Sequence, residues 1–331
     1  MKISVVIPMY NNIDSVRRLL GSIYRQFTQD CGEVIVVDDG SRLCDSGVLR
    51  KEFPGLQVMI LGSNAGAANA RNAGVRAAMH DVILFLDADM ELCDNVISEF
   101  QKTMDDPAVD AVVGTVCDVP LNRGVFQDYW ALLKSYFHSL PERYSSTFYP
   151  MLGAIRKSIF ESVGGFDSRI KGASIEDYEF SLRLMQAGYK VLFNPAITAK
   201  TSYKNFFKSI SQSVERSKKW GIMFLDRMKF DNHTTTAAQG AANILGFLFL
   251  ISLLSGFFSR HILIPSAGFL IMLLYLNRRF FKYILDRRGP FFLVISVSIY
   301  LVSSFFITIG FLTGILYAFR SKKTRREALY A

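Results

Sequence analysis

Acidic side chains all but vanish from the end of this 331-residue chain: after residue 236 only Asp286 and Glu327 stand among 11 lysines and arginines. Residues 1–236 hold the other 27 basic and 27 acidic side chains, so the whole net charge of +9 belongs to the C-terminal part. That distribution excludes a uniformly basic nucleic-acid binder, and a chain that is 50% hydrophobic is not a disordered one. Cysteine is scarce as well. Cys31, Cys44, Cys93 and Cys117 show no CxxC spacing and no paired framework, which fits a reduced, cytosolic state. A secretion signal is also missing from the start, because the apolar run in Met1–Tyr10 is short, ends at Pro8 and reads as a strand. Both absences predict that residues 1–236 face the cytosol.

Charge is absent from two long stretches, Ala237–Phe258 (22 residues) and Phe291–Phe319 (29 residues). Each exceeds the ~20 residues that cross a hydrocarbon core as a helix. A third uncharged run, Ile262–Leu276, has 15 residues and is marginal. Soluble core helices rarely run so long without a polar face, so a transmembrane region of two to four helices is expected over 237–319. Five basic residues lie in Asn277–Gly289 and five more in the tail 320–331. The positive-inside rule would put both on the cytoplasmic side, which three simple crossings cannot do.

Short apolar runs alternate with helical patterns at the start of the chain. Ile3–Ile7, Val34–Val37, Val58–Leu61 and Val82–Leu86 read as strands, and Ile13–Gln26 and Ala65–Met79 as helices. This alternation predicts a mainly parallel sheet covered on both faces, with ligands beyond the carboxyl ends of its strands. Polar residues gather at three such ends: Pro8-Met9-Tyr10-Asn11, Asp38-Asp39 and Asp87-Ala88-Asp89.

Asp87 and Asp89, two apart at a strand end, can share a hard divalent ion such as Mg²⁺ or Mn²⁺; an Asp-rich turn is the plainer alternative. Asp38 can accept a hydrogen bond from a base N–H or a ribose hydroxyl, although Asp-Gly-Ser is also good turn chemistry. Arg71 lies a turn or two into a helix, where it could pair with phosphate or simply be solvated. After Gly164-Gly165-Phe166-Asp167, Glu176 and Asp177 open a helix running to Ala187. Acidic residues favour that position through the helix dipole alone, and one of them could serve as a general base.

Together SVVIPMYNN (4–12), VIVVDDGS (34–41), NAGAANARNAG (64–74), FLDADM (85–90), GGFDSRI (164–170) and IEDYEFSLRLMQAGYKV (175–191) resemble the inverting family 2 glycosyltransferases, in the family's order. The resemblance covers residues 3–195 and implies an A-type, Rossmann-like α/β domain that binds a nucleotide sugar. It implies that Pro8, Tyr10, Asp38, Arg71 and Asp87 line the nucleotide-sugar pocket, with Asp38 reading the base. It further implies that Asp89, with Asp87, ligates Mg²⁺ or Mn²⁺, and that Asp177 is the catalytic base with Glu176 beside it. The expected chemistry is one in-line displacement at the anomeric carbon, with inversion.

The chain also departs from that pattern. The Gln-x-x-Arg-Trp motif of processive synthases is broken in Gln212–Trp220, and no histidine follows in Ile197-Thr198-Ala199-Lys200. Aromatic and basic residues interleave from Tyr203 to Phe230, which suits a helix lying in an anionic membrane surface or, alternatively, one packed on the protein. The resulting expectation is a catalytic domain over 1–200, an amphipathic juxtamembrane segment over 201–236, transmembrane helices over 237–319 and a basic tail over 320–331. Its partners would be a UDP-, GDP- or dTDP-sugar donor and a lipid, polyprenyl phosphate or lipid-linked glycan acceptor, with no nucleic acid. Its place would be the bacterial cytoplasmic membrane, facing the cytosol. A polysaccharide synthase and a non-catalytic nucleotide-sugar-binding scaffold are the competing readings.

Overall fold

The computed structural model describes residues 1–27, 31–43, 45–140, 143–170, 175–227, 236–256, 258 and 260–320. Most of the expected basic tail and residues 228–235 of the juxtamembrane segment therefore lie outside the described residues. Two compact units are present, one of residues 1–122 and 138–202, the other of 123–137 and 203–331.

The first unit begins with β1 (Ile3–Met9), α1 (Ile13–Tyr24), β2 (Gly32–Asp38), the single turn α2 (Leu49–Glu52), β3 (Leu56–Ile60) and α3 (Ala67–Ala77). Next come β4 (Val82–Leu86), β5 (Met90–Leu92), α4 (Val96–Met104) and β6 (Ala111–Val116). A helix of the second unit, α5 (Val125–His138), interrupts the series, which resumes with β7 (Tyr144–Ser145), β8 (Leu152–Arg156), α6 (Lys157–Ser162), α7 (Glu176–Gln186) and β9 (Val191–Thr201). The strands form one sheet in the order β3-β2-β1-β4-β8-β6-β9-β5, with β7 paired to β9.

The pairs β3–β2, β2–β1 and β1–β4 are parallel, as the alternation of strand and helix predicts. Beyond β4 the sheet is mixed. β8 runs antiparallel to both β4 and β6, whereas β6 and β9 are parallel. No short-range pattern announces this, because the orientation of β8 depends on the long excursion through α5 that precedes it.

Side chains of β1 alternate between two apolar layers. Ile3, Val5 and Ile7 pack with α1 and α4 residues such as Leu19 and Phe100. Val6 faces the other way, toward Ala70, Ala73, Phe85 and Phe160. A strand buried on both faces has to be continuously apolar, which explains the unbroken run at the start of the sequence.

The second unit is helical: α5, α8 (Phe206–Arg227), α9 (Ala237–Ser255), α10 (Leu263–Leu276) and α11 (Arg278–Arg320). α9 and α11 are long and apolar enough to cross a membrane. α9 starts where it does because Thr236 and Gln239 form a reciprocal capping box. α10 spans only 14 residues, about 21 Å at the usual helical rise, short of a full crossing. α11 is broken at Gly289, whose φ of 79° is closed to most side chains, and Pro290 starts the second stretch at a position proline favours. Before that break, Phe280, Phe281 and Ile284 are buried while Arg278, Arg279, Lys282 and Asp286 are exposed, so the basic linker of the sequence is an amphipathic helix.

α8 packs against α11 at glycines. A Cβ on Gly310 would stand 2.6 Å from Val214 O, one on Gly221 2.6 Å from Phe311 O, and one on Gly314 would collide with Lys218 O. Small residues at such positions let two backbones approach closely. Helix α5, which the sequence reading includes in 1–200, belongs to this second unit. Tyr129 and Leu132 share one apolar cluster with Ala242, Leu273, Phe280, Ile284 and Tyr300.

Candidate functional site

Strand β1 is flanked by β2 on one side and β4 on the other, so the chain reverses its direction of travel through the sheet between β1 and β4. Open α/β sheets bind ligands in the crevice beyond the carboxyl ends at such a switch point. Met9 and Asp38 are register partners at the ends of β1 and β2, and β4 ends one residue before Asp87. Pro8, Tyr10, Asp38, Asp87 and Asp89 therefore all lie at one edge of the sheet. Tyr10 is 47% exposed there, whereas Asp38 is buried.

Backbone donors shape this edge. Asp38 Oδ1 accepts from Ser41 N–H at 2.8 Å, closing the turn after β2. Its neighbour Asp39 accepts from Ala65 N–H at 3.0 Å and from Gly66 N–H at 2.7 Å, tying down the loop that leads into α3. Asn11, in the left-handed region at φ 50°, accepts from Arg42 and Leu43 N–H through Oδ1 at 2.9 and 3.0 Å. Of the adjacent aspartates at 38 and 39, one is thus an anchor for the loop before α3, a distinction invisible in the dipeptide.

Arg71 is the electrostatic centre. It lies in the second turn of α3 with its side chain only 4% exposed. Nη2 donates to Asp87 Oδ1 at 2.6 Å and Nη1 to Glu176 Oε1 at 3.5 Å, while the guanidinium lies over the Phe166 ring, 5.7 Å from its centroid. Burial by itself would lower the Arg71 pKa, but Asp87, Glu176 and Asp177 outweigh it and hold the group firmly cationic. Sequence alone left Arg71 between a phosphate partner and a solvated side chain. In the structure its two terminal nitrogens face carboxylates instead.

Glu176 and Asp177 open α7. Asp177 Oδ1 accepts from Tyr178 N–H at 2.9 Å, and Ser181 Oγ donates to Asp177 O at 2.5 Å. The segment before α7 is held by two residues that sequence reasoning did not single out. Asn72 donates to Phe166 O at 2.7 Å and accepts from Phe166 N–H at 3.0 Å, so α3 grips the Gly164-Gly165-Phe166 turn directly. Arg183 donates to Gly165 O at 2.7 Å and to Val163 O from the other side. Both glycines have positive φ, 84° and 65°, as the turn demands. The repeated asparagines of NARN were the only available sign of the first grip. Arg71 and Asn72 together thus bring α3, β4, the glycine turn and α7 to one place.

Asp87 and Asp89 leave β4 in a tight turn: Met90 N–H donates to Asp87 O at 3.2 Å, and Asp89 O accepts from Ser202 N–H at 3.0 Å. Among the described residues no group of three or more His, Cys, Asp and Glu is placed to hold an ion. The donors present still fit a hard divalent cation, because Mg²⁺-type ions commonly take one or two carboxylates and complete their shell with substrate phosphates and water. Asp87 would join such a set with its Oδ1 already held by Arg71.

Residues 4–164 match Glycosyl transferase family 2. An uncharacterized glycosyltransferase of Haemophilus influenzae is 30% identical over 196 residues, 56% of this chain and 62% of that protein. The uncharacterized glycosyltransferase YwdF of Bacillus subtilis is 29% identical over 236 residues, 69% of this chain and 83% of that one. The chain thus spans about three-fifths of the first relative's length. Among solved structures, the mannosyltransferase PcManGT from Pyrobaculum calidifontis, in complex with GDP-Man and Mn²⁺, superposes with a TM-score of 0.59. It is 15% identical, and the match covers 97% of this chain and 88% of that one, a likeness of fold. Over residues 4–164 the chain is thus similar to glycosyltransferase family 2, and the two bacterial relatives are glycosyltransferases by name.

Proposed function

We propose that the chain moves a sugar from a nucleoside-diphosphate sugar to a membrane-associated acceptor, with inversion at the anomeric carbon. The observation that carries this reading is the cluster on Arg71, which holds Asp87 at the end of β4 and Glu176 at the start of α7 on one cation, with Asp177 next in sequence. A nucleotide recognised along the edge of β1, β2 and β4 would deliver its sugar toward the N-terminus of α7. Asp38 is the candidate for base recognition, and Pro8 and Tyr10 for the walls of the pocket. A divalent ion on Asp89 and Asp87, of the kind that accompanies GDP-Man in the archaeal mannosyltransferase, would offset the charge of the departing diphosphate.

Asp177 is the proposed general base. It takes the proton of the acceptor hydroxyl as the acceptor oxygen bonds to the anomeric carbon and the bond to the diphosphate oxygen breaks. One displacement inverts the configuration. Arg71 orients the carboxylates and neutralises their mutual repulsion, a task for a group that stays charged at any working pH.

The acceptor is proposed to be lipid-borne, a polyprenyl phosphate, lipid-linked glycan or glycolipid. Two helices long enough to span a bilayer and the basic amphipathic stretch before Gly289 support that reading and a place at the cytosolic face of a bacterial membrane. The test is nucleotide binding and turnover by the detergent-solubilised chain, comparing UDP, GDP and dTDP with and without Mn²⁺. Asp89→Asn should lose the Mn²⁺-dependent part of binding. Asp177→Asn should bind the donor as the parent does and lose transfer by about 10²–10⁴-fold, the range for a general base. Transfer at the parental rate by Asp177→Asn refutes the assignment of the base, and tight binding without turnover on any lipid acceptor favours a scaffold.

A further inference from the structure

Two cysteines that the transfer chemistry does not use meet beside β9, just past the ends of β5 and β6. Cys93 follows β5 and Cys117 follows β6, and their sulfurs lie 3.4 Å apart. Strand β9 lies between them: Cys93 N–H donates to Thr198 O and Cys117 N–H to Ala199 O. Thr198 and the Lys200 ammonium, on the same face of β9, both act electrostatically on the sulfurs. The thiols share one proton unequally. The hydrogen bond from Cys117, reinforced by Thr198 and Lys200 against burial and Asp94, brings Cys93 down to about 6, while holding the proton pushes Cys117 up.

We propose that Cys93 and Cys117 form a two-coordinate binding site for a soft monovalent cation, Cu⁺ in its chemistry. Three features select this occupant. Soft thiolates favour Cu⁺ over hard ions. Structural Zn²⁺ takes four ligands, and among the described residues no third His, Cys, Asp or Glu completes a group here. Two thiolates around one positive ion leave a single negative charge, which Lys200 offsets. A disulfide fits less well. It would need the sulfurs, 3.4 Å apart, to close to about 2.05 Å, and a two-electron oxidant that the site does not hold. Two metal–sulfur bonds of about 2.3 Å can set the sulfurs as much as ~4.6 Å apart, a change of side-chain torsion rather than backbone. Binding forms two Cu–S bonds, releases the Cys117 proton to solvent and transfers no electron.

The test uses the full chain in detergent, reduced and freed of reductant, and Cu⁺ supplied as its complex with a coloured chelator such as bicinchoninate. The wild-type chain should withdraw about one equivalent, and Cys93→Ser and Cys117→Ser should each weaken binding by about 100-fold or more, exceeding a lost supporting contact. Cys31→Ser should bind as the parent. A footprint on the unsubstituted chain guards against misfolded variants: Cu⁺ should protect Cys93 and Cys117, but not Cys31, from iodoacetamide. A wild-type chain that leaves all Cu⁺ on the chelator overturns the proposal. So does a footprint that spares neither cysteine of the pair, or retention of the ion by either folded serine variant.

Discussion

Replacing Arg71 with methionine would remove the cation shared by Asp87 and Glu176 while leaving an apolar stem over Phe166. Breaking a buried ion pair from one side costs about 3–5 kcal/mol, because the partner is stranded. The two carboxylates do not contribute equally. Asp87 is 35% exposed and can rehydrate, so its share falls toward the small surface value. Glu176 is 7% exposed and cannot, so the expected loss lies near the lower end, about 3 kcal/mol. In a unit of this size that lowers the melting temperature by about 6–12 °C. Thermal unfolding of the detergent-solubilised chain, followed by intrinsic fluorescence, measures it. Adding Glu176→Gln removes the buried charge that has lost this cation and should restore about 1–3 kcal/mol, since neighbouring residues couple in this range. An Arg71→Met chain melting within about 2 °C of the parent, with no gain from the second change, would refute the strut.

Three further outcomes are expected. Gly314→Ala should cost about 1–3 kcal/mol by forcing α8 away from α11, whereas Gly268→Ala, with nothing within 4 Å of its added methyl, should be neutral or stabilising in the same melt. Asn72→Ala removes both hydrogen bonds to Phe166 and should destabilise by about 1–3 kcal/mol, with faster backbone hydrogen exchange at the glycine turn as its signature. Iodoacetamide should modify Cys93 at a rate that rises with pH to a plateau, with its midpoint near 6, because only the thiolate attacks; a midpoint at the ordinary ~8.5 would contradict the shared proton.

Much of the fold was legible because local chemistry and tertiary structure agree. The apolar runs at β1, β2 and β4 are strands buried on both faces, so nothing polar interrupts them. Their polar ends had to meet once the strands ran parallel, and Pro8, Tyr10, Asp38, Asp87 and Asp89 do share an edge. The later strands were harder to read. β8 is five residues long and antiparallel, and the order β8-β6-β9 depends on pairings far apart in the chain. Helix α5 looks like any amphipathic helix in sequence, and only its packing against Phe280 and Tyr300 assigns it to the helical unit.

What the amino-acid sequence determined by itself is therefore what one element decides alone: strand or helix from periodicity, a turn from Gly-Gly or Asp-Gly, a possible span from the absence of charge, and six motifs in the family's order. Tertiary structure alone decided what depends on two distant segments meeting. Arg71 faces carboxylates because Asp87 and Glu176, 16 and 105 residues further on, converge on it. Asp39 became an anchor, Asn72 a clasp, and Cys93 and Cys117 a pair for the same reason. A side chain's charge and hydrogen-bonding capacity are written in its identity, but the partner that engages them is set by the fold.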